Sequence, residues 1–168
     1  MDRLTLGTRK VSIEFPGVKA LTNVDFEVST GEIHALVGAN GAGKSTLMKV
    51  LAGANPDYTG EVYLNGQPVE LRSTMAAKKL GIQIVYQEVD MALIPTLSVA
   101  ENVMLNDMVM NSGGNPLVNW PRLRTQAKAV LDRLNINVNV RKLVQDLSLA
   151  QKQMVLIARA IANECNFL

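Results

Sequence analysis

Gly38-Ala39-Asn40-Gly41-Ala42-Gly43-Lys44-Ser45-Thr46 is the stretch on which the reading of this sequence turns. It matches the pattern G-x-x-x-x-G-K-[S/T] at every fixed position. Before it lies Ile33-His34-Ala35-Leu36-Val37, apolar apart from His34, as expected of a strand buried in a parallel sheet. After it, Ser45-Thr46-Leu47-Met48-Lys49-Val50-Leu51 has helical character and stops at Gly53. The glycines admit backbone angles that residues with a Cβ avoid, and they let the chain approach a ligand closely. Backbone N–H groups then point into one concavity that holds phosphate oxygens, and the positive end of the following helix adds to the attraction. Lys44 is expected to reach the β- and γ-phosphates, the Ser45 hydroxyl to bind Mg²⁺, and Thr46 to assist near the α-phosphate. The loop predicts a nucleoside triphosphate site. It does not say what the site drives, because kinases, GTPases, helicases and transport ATPases share it.

Composition narrows the setting. The 168 residues suit one domain or a large part of one. A net charge of +2 gives no reason to expect nucleic acid as the main partner. Cys165 and His34 are each the only residue of their kind. A disulfide within one chain or a zinc cluster is therefore excluded, and both residues are expected to be structural. Met1-Asp2-Arg3-Leu4-Thr5 carries no apolar signal core, and no stretch approaches the ~18 apolar residues that span a bilayer. The expected place is the cytoplasm, with no direct membrane insertion and any membrane contact made through another protein.

Around the loop, Val11-Ser12-Ile13-Glu14-Phe15 alternates like a half-buried strand and Pro16-Gly17 turns it. A second extended stretch runs from Leu21 to Val28. Asn65-Gly66 joins strands over Glu61–Leu64 and Pro68–Leu71 as a hairpin. Ser73-Thr74 caps a helix reaching about Leu80. Ile82–Tyr86 reads as another strand, with Gln87 at its end. Helices are expected over Leu97–Leu105, Trp120–Leu134 and about Leu149–Ala162, the first two separated by a polar stretch from Asn106 to Pro116. This predicts an α/β plan: residues 1–88 as a β subdomain and phosphate-loop core, 89–146 as a helical insertion, and 147–168 as a return toward the core.

Three further features narrow the choice of phosphate-loop protein: Gln87 at a strand end, Leu147-Ser148-Leu149-Ala150-Gln151 before a helix, and Phe15 ahead of Pro16-Gly17-Val18-Lys19-Ala20-Leu21. Each alone has a plainer reading: an exposed glutamine, a helix N-cap at Ser148, a core phenylalanine. In this order around a complete phosphate loop they resemble the ATP-binding-cassette (ABC) ATPases over essentially the whole chain. The forms at 15–21 and 147–155 are similar to the bacterial sugar importers of the ribose, xylose and galactose class, as the N-terminal part of the first of two cassettes.

The resemblance implies a RecA-like P-loop core with an N-terminal antiparallel β subdomain and a helical insertion. It implies that Phe15 stacks on adenine and that Gln87 contacts Mg²⁺ or the attacking water and links to the transmembrane permease subunits. Ser148, Leu149, Ala150 and Gln151 form the signature segment, which closes over ATP on a second cassette in a head-to-tail dimer. Such a subunit works on the inner face of the cell membrane and couples ATP hydrolysis to sugar import. One departure is that Leu149 and Ala150 stand where the commonest signature has two glycines. The family's next motif, an apolar strand ending in Asp-Glu, is expected to begin at Phe167-Leu168. Glu164 precedes that strand and does not replace its glutamate, so little or no hydrolysis is expected from this chain alone. Two other functions fit the loop: a nucleotide-binding module without turnover, and a cassette protein acting on nucleic acid or ribosomes.

Overall fold

Along the first strand the buried positions change parity: Leu6 and Thr8 face inward, then Val11 and Ile13. One extra residue at a bulge produces this shift, because side chains alternate with a period of two. Lys10 sits there with φ 47°, and its N–H donates to Asp25 Oδ1 at 2.7 Å. Across from it Asn23, φ 48°, donates its N–H to Ser12 Oγ at 2.8 Å. The bulge fits because Gly60 lies opposite, where a Cβ would come within 2.4 Å of the Lys10 carbonyl.

The computed structural model describes residues 3–86, 88–110, 118–162 and 165–168. These fall into two units, Met1–Ile84 with Asn166–Leu168, and Val85–Cys165.

The first unit holds an antiparallel sheet of β1 (Thr5–Phe15), β2 (Val18–Ser29), β3 (Thr59–Leu64) and β4 (Gln67–Val69), in the order β2-β1-β3-β4. The β3–β4 turn places Asn65 at φ 52° and Gly66 at φ 73°, the two positive values a two-residue hairpin needs. Helix α1 (Lys44–Leu51) and helix α2 (Thr74–Lys79) complete the unit. As expected, Ser73 caps α2 by accepting from the Ala76 N–H. Leu6, Val11, Ile13 and Leu21 of the sheet pack with Leu47, Val50 and Leu51 of α1 in one core.

Two expected strands do not form. Residues 33–37 make no ladder, and Ile33 and Val37 stand exposed. Over 82–86 only Ile82 pairs, in a parallel bridge to Phe167, with the Gln83 N–H donating to the Phe167 carbonyl at 2.9 Å. The reason is non-local. A parallel strand exists only where a neighbour supplies the ladder, and among the described residues none lies beside 33–37. The burial expected for that run therefore fails with its pairing, and His34 is exposed, its ring meeting Phe26 edge-on at 5.6 Å.

The second unit is helical: α3 (Val89–Ala92), α4 (Val99–Val103), α5 (Leu105–Met110), α6 (Trp120–Arg133), a short 3₁₀ turn at Val144–Asp146, and α7 (Leu149–Ile161). The helix expected over 97–105 starts instead at Val99, because Ser98 and Glu101 form a reciprocal capping box that fixes the start. Val99, Val103, Leu123, Ala127, Leu131 and Val155 build the core. Burial pushes the Cys165 thiol pKa up, which disfavours the nucleophilic thiolate and suits the structural role expected of it.

Asn102 is fully buried and saturated. Its Oδ1 accepts the Ile94 N–H at 2.9 Å, and its Nδ2 donates to the carbonyls of Ile94 at 3.0 Å and Ser98 at 3.1 Å. One side chain thus holds the loop between α3 and α4. Asn102→Ala leaves those groups unpaired in the interior, at about 1–3 kcal/mol for a buried orphan. We expect it to destabilise the protein by about 2 kcal/mol in urea unfolding. A change below about 0.5 kcal/mol would show that water replaces the amide freely.

Candidate functional site

The phosphate loop enters α1 through Gly43, its N-cap, at φ 86°. A Cβ there would lie 2.5 Å from the Ala20 carbonyl and 2.8 Å from Leu21 Cδ2. Glycine is therefore demanded twice, by backbone angle and by contact with β2. Gly41 also has a positive φ, 82°, but a Cβ on it would meet nothing within 4 Å. Gly38 would meet only ordinary contacts. The loop is anchored on one side by Gly43 and open on the other.

The amides of Lys44, Ser45 and Thr46 are first-turn donors of α1, which have no acceptor inside the helix. No side chain caps this end, and no acidic residue lies in the first turn. Lys44 folds back over the loop, its ammonium donating to the carbonyls of Gly38 at 2.7 Å and Ala39 at 2.8 Å. A lysine has three donors, so this geometry draws the charge over the loop with one donor uncommitted. The Ser45 hydroxyl is exposed and makes no hydrogen bond among the described residues. Free amides, one ammonium and a hydroxyl at a helix N-terminus fit a phosphorylated anion. Among the described residues no cluster of His, Cys, Asp and Glu would hold a metal unaided. A cation at Ser45 fits only when phosphate oxygens supply further ligands.

Phe15 ends β1 and pairs with Val18 across a tight turn. The residue is 40% exposed rather than in the core. The same hairpin runs through Ala20, whose carbonyl faces Gly43, so the turn and the loop belong to one neighbourhood. Gln87, the third residue expected at this site, lies outside the described residues, as do 111–117 of the polar stretch and Glu164.

In the second unit, Ser148 is the N-cap of α7. Its Oγ accepts the Gln151 N–H at 3.3 Å, while Gln151 Oε1 accepts the Ser148 N–H at 3.1 Å. The plainer reading of this segment is thus satisfied in full, and it leaves a role toward ligand open. Ser148 uses its oxygen as acceptor, so its hydroxyl proton remains available for donation. Leu149 stands 61% exposed and Ala150 exposed beside it. An apolar side chain at such a position is not held by this unit's core.

Two features escaped the sequence reading. Asn102 carried a signal in Ser98-x-x-Glu101, which marks the helix start just before it. Arg159 carried none, since its partner is a backbone carbonyl 67 positions away.

The family model for ABC transporters matches residues 21–168. The xylose import ATP-binding protein XylG of Moorella thermoacetica is 41% identical across all of this chain and 33% of its own length. The ribose import ATP-binding protein RbsA 1 of Rubrobacter xylanophilus is 45% identical across 95% of this chain and 31% of its own. The chain thus spans about a third of these relatives. Among solved structures, cbiO1 of Clostridium perfringens, described as part of the ABC transporter complex cbiONQ, overlays with a TM-score of 0.75 at 26% identity. The overlay covers 95% of this chain and 62% of that one. No helix among the described residues is long and apolar enough to cross a membrane. By its phosphate loop, its antiparallel sheet and helical unit, and a family match that runs from β2 to Leu168, the chain belongs to the ABC transporter ATP-binding family.

Proposed function

We propose that this chain binds Mg·ATP at residues 38–46 and serves a sugar importer as part of its ATP-hydrolysing subunit. The observation that carries the reading is the loop itself. Gly43 is wedged against Ala20, the first turn of α1 is uncapped, and Lys44 is drawn over the loop carbonyls. Backbone amides from Gly38 through Gly43, including those of Ala39 and Asn40, cradle the phosphates, and that of Ala42 joins them by leaving the Ala39 carbonyl to which it donates at 3.2 Å. Lys44 neutralises charge at the β- and γ-phosphates, Ser45 offers its hydroxyl to the cation, and Thr46 holds the α-phosphate side. Mg²⁺ would be held by the Ser45 hydroxyl together with the nucleotide, and it would supply positive charge against the charge that develops during transfer to water. Gln87 is assigned to the cation or the attacking water. The general-base role is assigned to no residue of this chain.

Ser148, Leu149, Ala150 and Gln151 are assigned to ATP held by a second cassette in a head-to-tail dimer, where α7 aims its N-terminus at the γ-phosphate. Permease subunits anchor the pair at the cytoplasmic face of the membrane, with 1–88, 89–146 and 147–168 as core, helical and returning segments. Sugar as cargo rests on relatives named for xylose and ribose import. Vesicles carrying the assembled transporter should accumulate sugar only with ATP on the cassette side, and ATP-independent uptake would refute the proposal.

Phe15→Ala tests the base site. Aromatic–base stacking contributes about 1–3 kcal/mol, so ATP affinity should fall about tenfold while inorganic triphosphate binds as before. Equal losses for both ligands would rule out stacking.

A further inference from the structure

Arg159, near the far end of α7 from Ser148, donates Nη1 to the carbonyl oxygen of Ala92 at 2.6 Å. Ala92 is the last residue of α3, so that oxygen is one a helix leaves without an internal partner. The guanidinium is half-buried, and among the described residues no carboxylate forms an ion pair with it. Burial lowers its pKa, the direction of a charge that has given up water. A cation placed so is costly unless a hydrogen bond offsets the water it has lost, and the Ala92 carbonyl accepts that bond.

The surrounding contacts show what that bond adds. Val89 and Leu93 at the ends of α3 pack into the same core as Val155 and Ala158 of α7. Apolar packing resists separation but has no direction, so by itself it lets two helices slide. A charge-assisted hydrogen bond fixes one register. Arg133 of α6 donates to the Ile161 carbonyl at 3.3 Å, holding the C-terminal end of α7 in turn.

We propose that Arg159 is a positioning residue that makes α3 and α7 one mechanical piece, so that displacement of the Ser148 end of α7 on nucleotide closure is delivered to the backbone entering α3. This rests on the signature role given to Ser148–Gln151 under the proposed function. Arg159 touches no nucleotide and acts through α7.

The test compares Arg159→Gln and Arg159→Lys with the unaltered protein, assembled with its partner subunits. In Arg159→Gln, hydrogen exchange at the Leu93 amide, which bonds back to the Val89 carbonyl at 3.1 Å, should quicken about tenfold. The Kd for Mg·ATP should stay within about twofold, while kcat falls about tenfold at little-changed KM. Arg159→Lys, which keeps the charge, should recover part of kcat, and it carries the same readouts if the glutamine variant fails to fold. Unchanged Leu93 exchange would show that no pin exists. Faster exchange with unchanged kcat would make Arg159 merely structural and overturn the proposal. Failure of the underlying signature reading is distinguishable, because Ala150→Glu, which sets a negative charge at an exposed position of that segment, would then leave kcat of the assembled protein unchanged.

Discussion

Replacing Lys44 with alanine is expected to lower Mg·ATP affinity by at least about 100-fold, with the fold intact. The ammonium already lies over the loop, held by the Gly38 and Ala39 carbonyls at 2.7 and 2.8 Å. In that place one donor can meet a phosphate directly, and release of one loop carbonyl supplies the second. Each charge-assisted hydrogen bond contributes about 1.5–3 kcal/mol. Losing two amounts to about 3–6 kcal/mol, and each 1.4 kcal/mol is a factor of ten. The side chain is not part of the core, so the urea midpoint should move little. Calorimetric titration of the purified chain checks the affinity, and urea unfolding checks the fold. Undiminished affinity in this variant would mean that the triphosphate sits elsewhere.

The second large effect is expected at Gly43, and its control is Gly41. Both have positive φ, 86° and 82°. Only Gly43 has its missing Cβ aimed at protein: the Ala20 carbonyl at 2.5 Å and Leu21 Cδ2 at 2.8 Å. Gly43→Val adds left-handed strain of about 1–3 kcal/mol and overpacking of about 1–3 kcal/mol. The expected sum is about 4 kcal/mol of lost stability, with nucleotide binding lost as α1 shifts from the β1–β2 hairpin. Gly41→Val adds the same left-handed strain but its Cβ meets nothing within 4 Å, so it should cost only about 2 kcal/mol. Urea unfolding of the two variants separates steric demand from conformational demand. Equal losses at 41 and 43 would mean that the contact with β2 yields without cost.

What was legible in the sequence was local. The phosphate loop, the Asn65-Gly66 turn, the Ser73 cap and the Ser148 cap each depend on residues within a few positions, and each is present. The family, too, was readable, because its motifs occur in a fixed order. What failed was pairing. Residues 33–37 have the composition of a buried strand, yet composition carries no information about the neighbour that must supply the ladder, and none is found among the described residues. Ile82 pairs with Phe167 while the residues after it form no ladder, for the same reason.

The bulge at Lys10 hid the first half of β1. It broke the alternation that marks a strand, so only Val11–Phe15 was visible as one, whereas β1 begins at Thr5. Asn102 and Arg159 were invisible as anchors. Both bond to backbone carbonyls, and a carbonyl is the same at every residue. The exposed Leu149 shows the converse case: the sequence flagged it as a departure from the family's glycines, and the structure leaves it outside the core of its unit.

The most direct measurement of the central claim is a backbone amide map of the ligand site by NMR, titrating Mg·ATP and, separately, adenosine into the purified chain. Mg·ATP should shift the amides of Gly41 through Thr46 most strongly, and adenosine should leave them in place while perturbing the neighbourhood of Phe15. Amides of 41–46 that stay unmoved by saturating Mg·ATP would contradict the account.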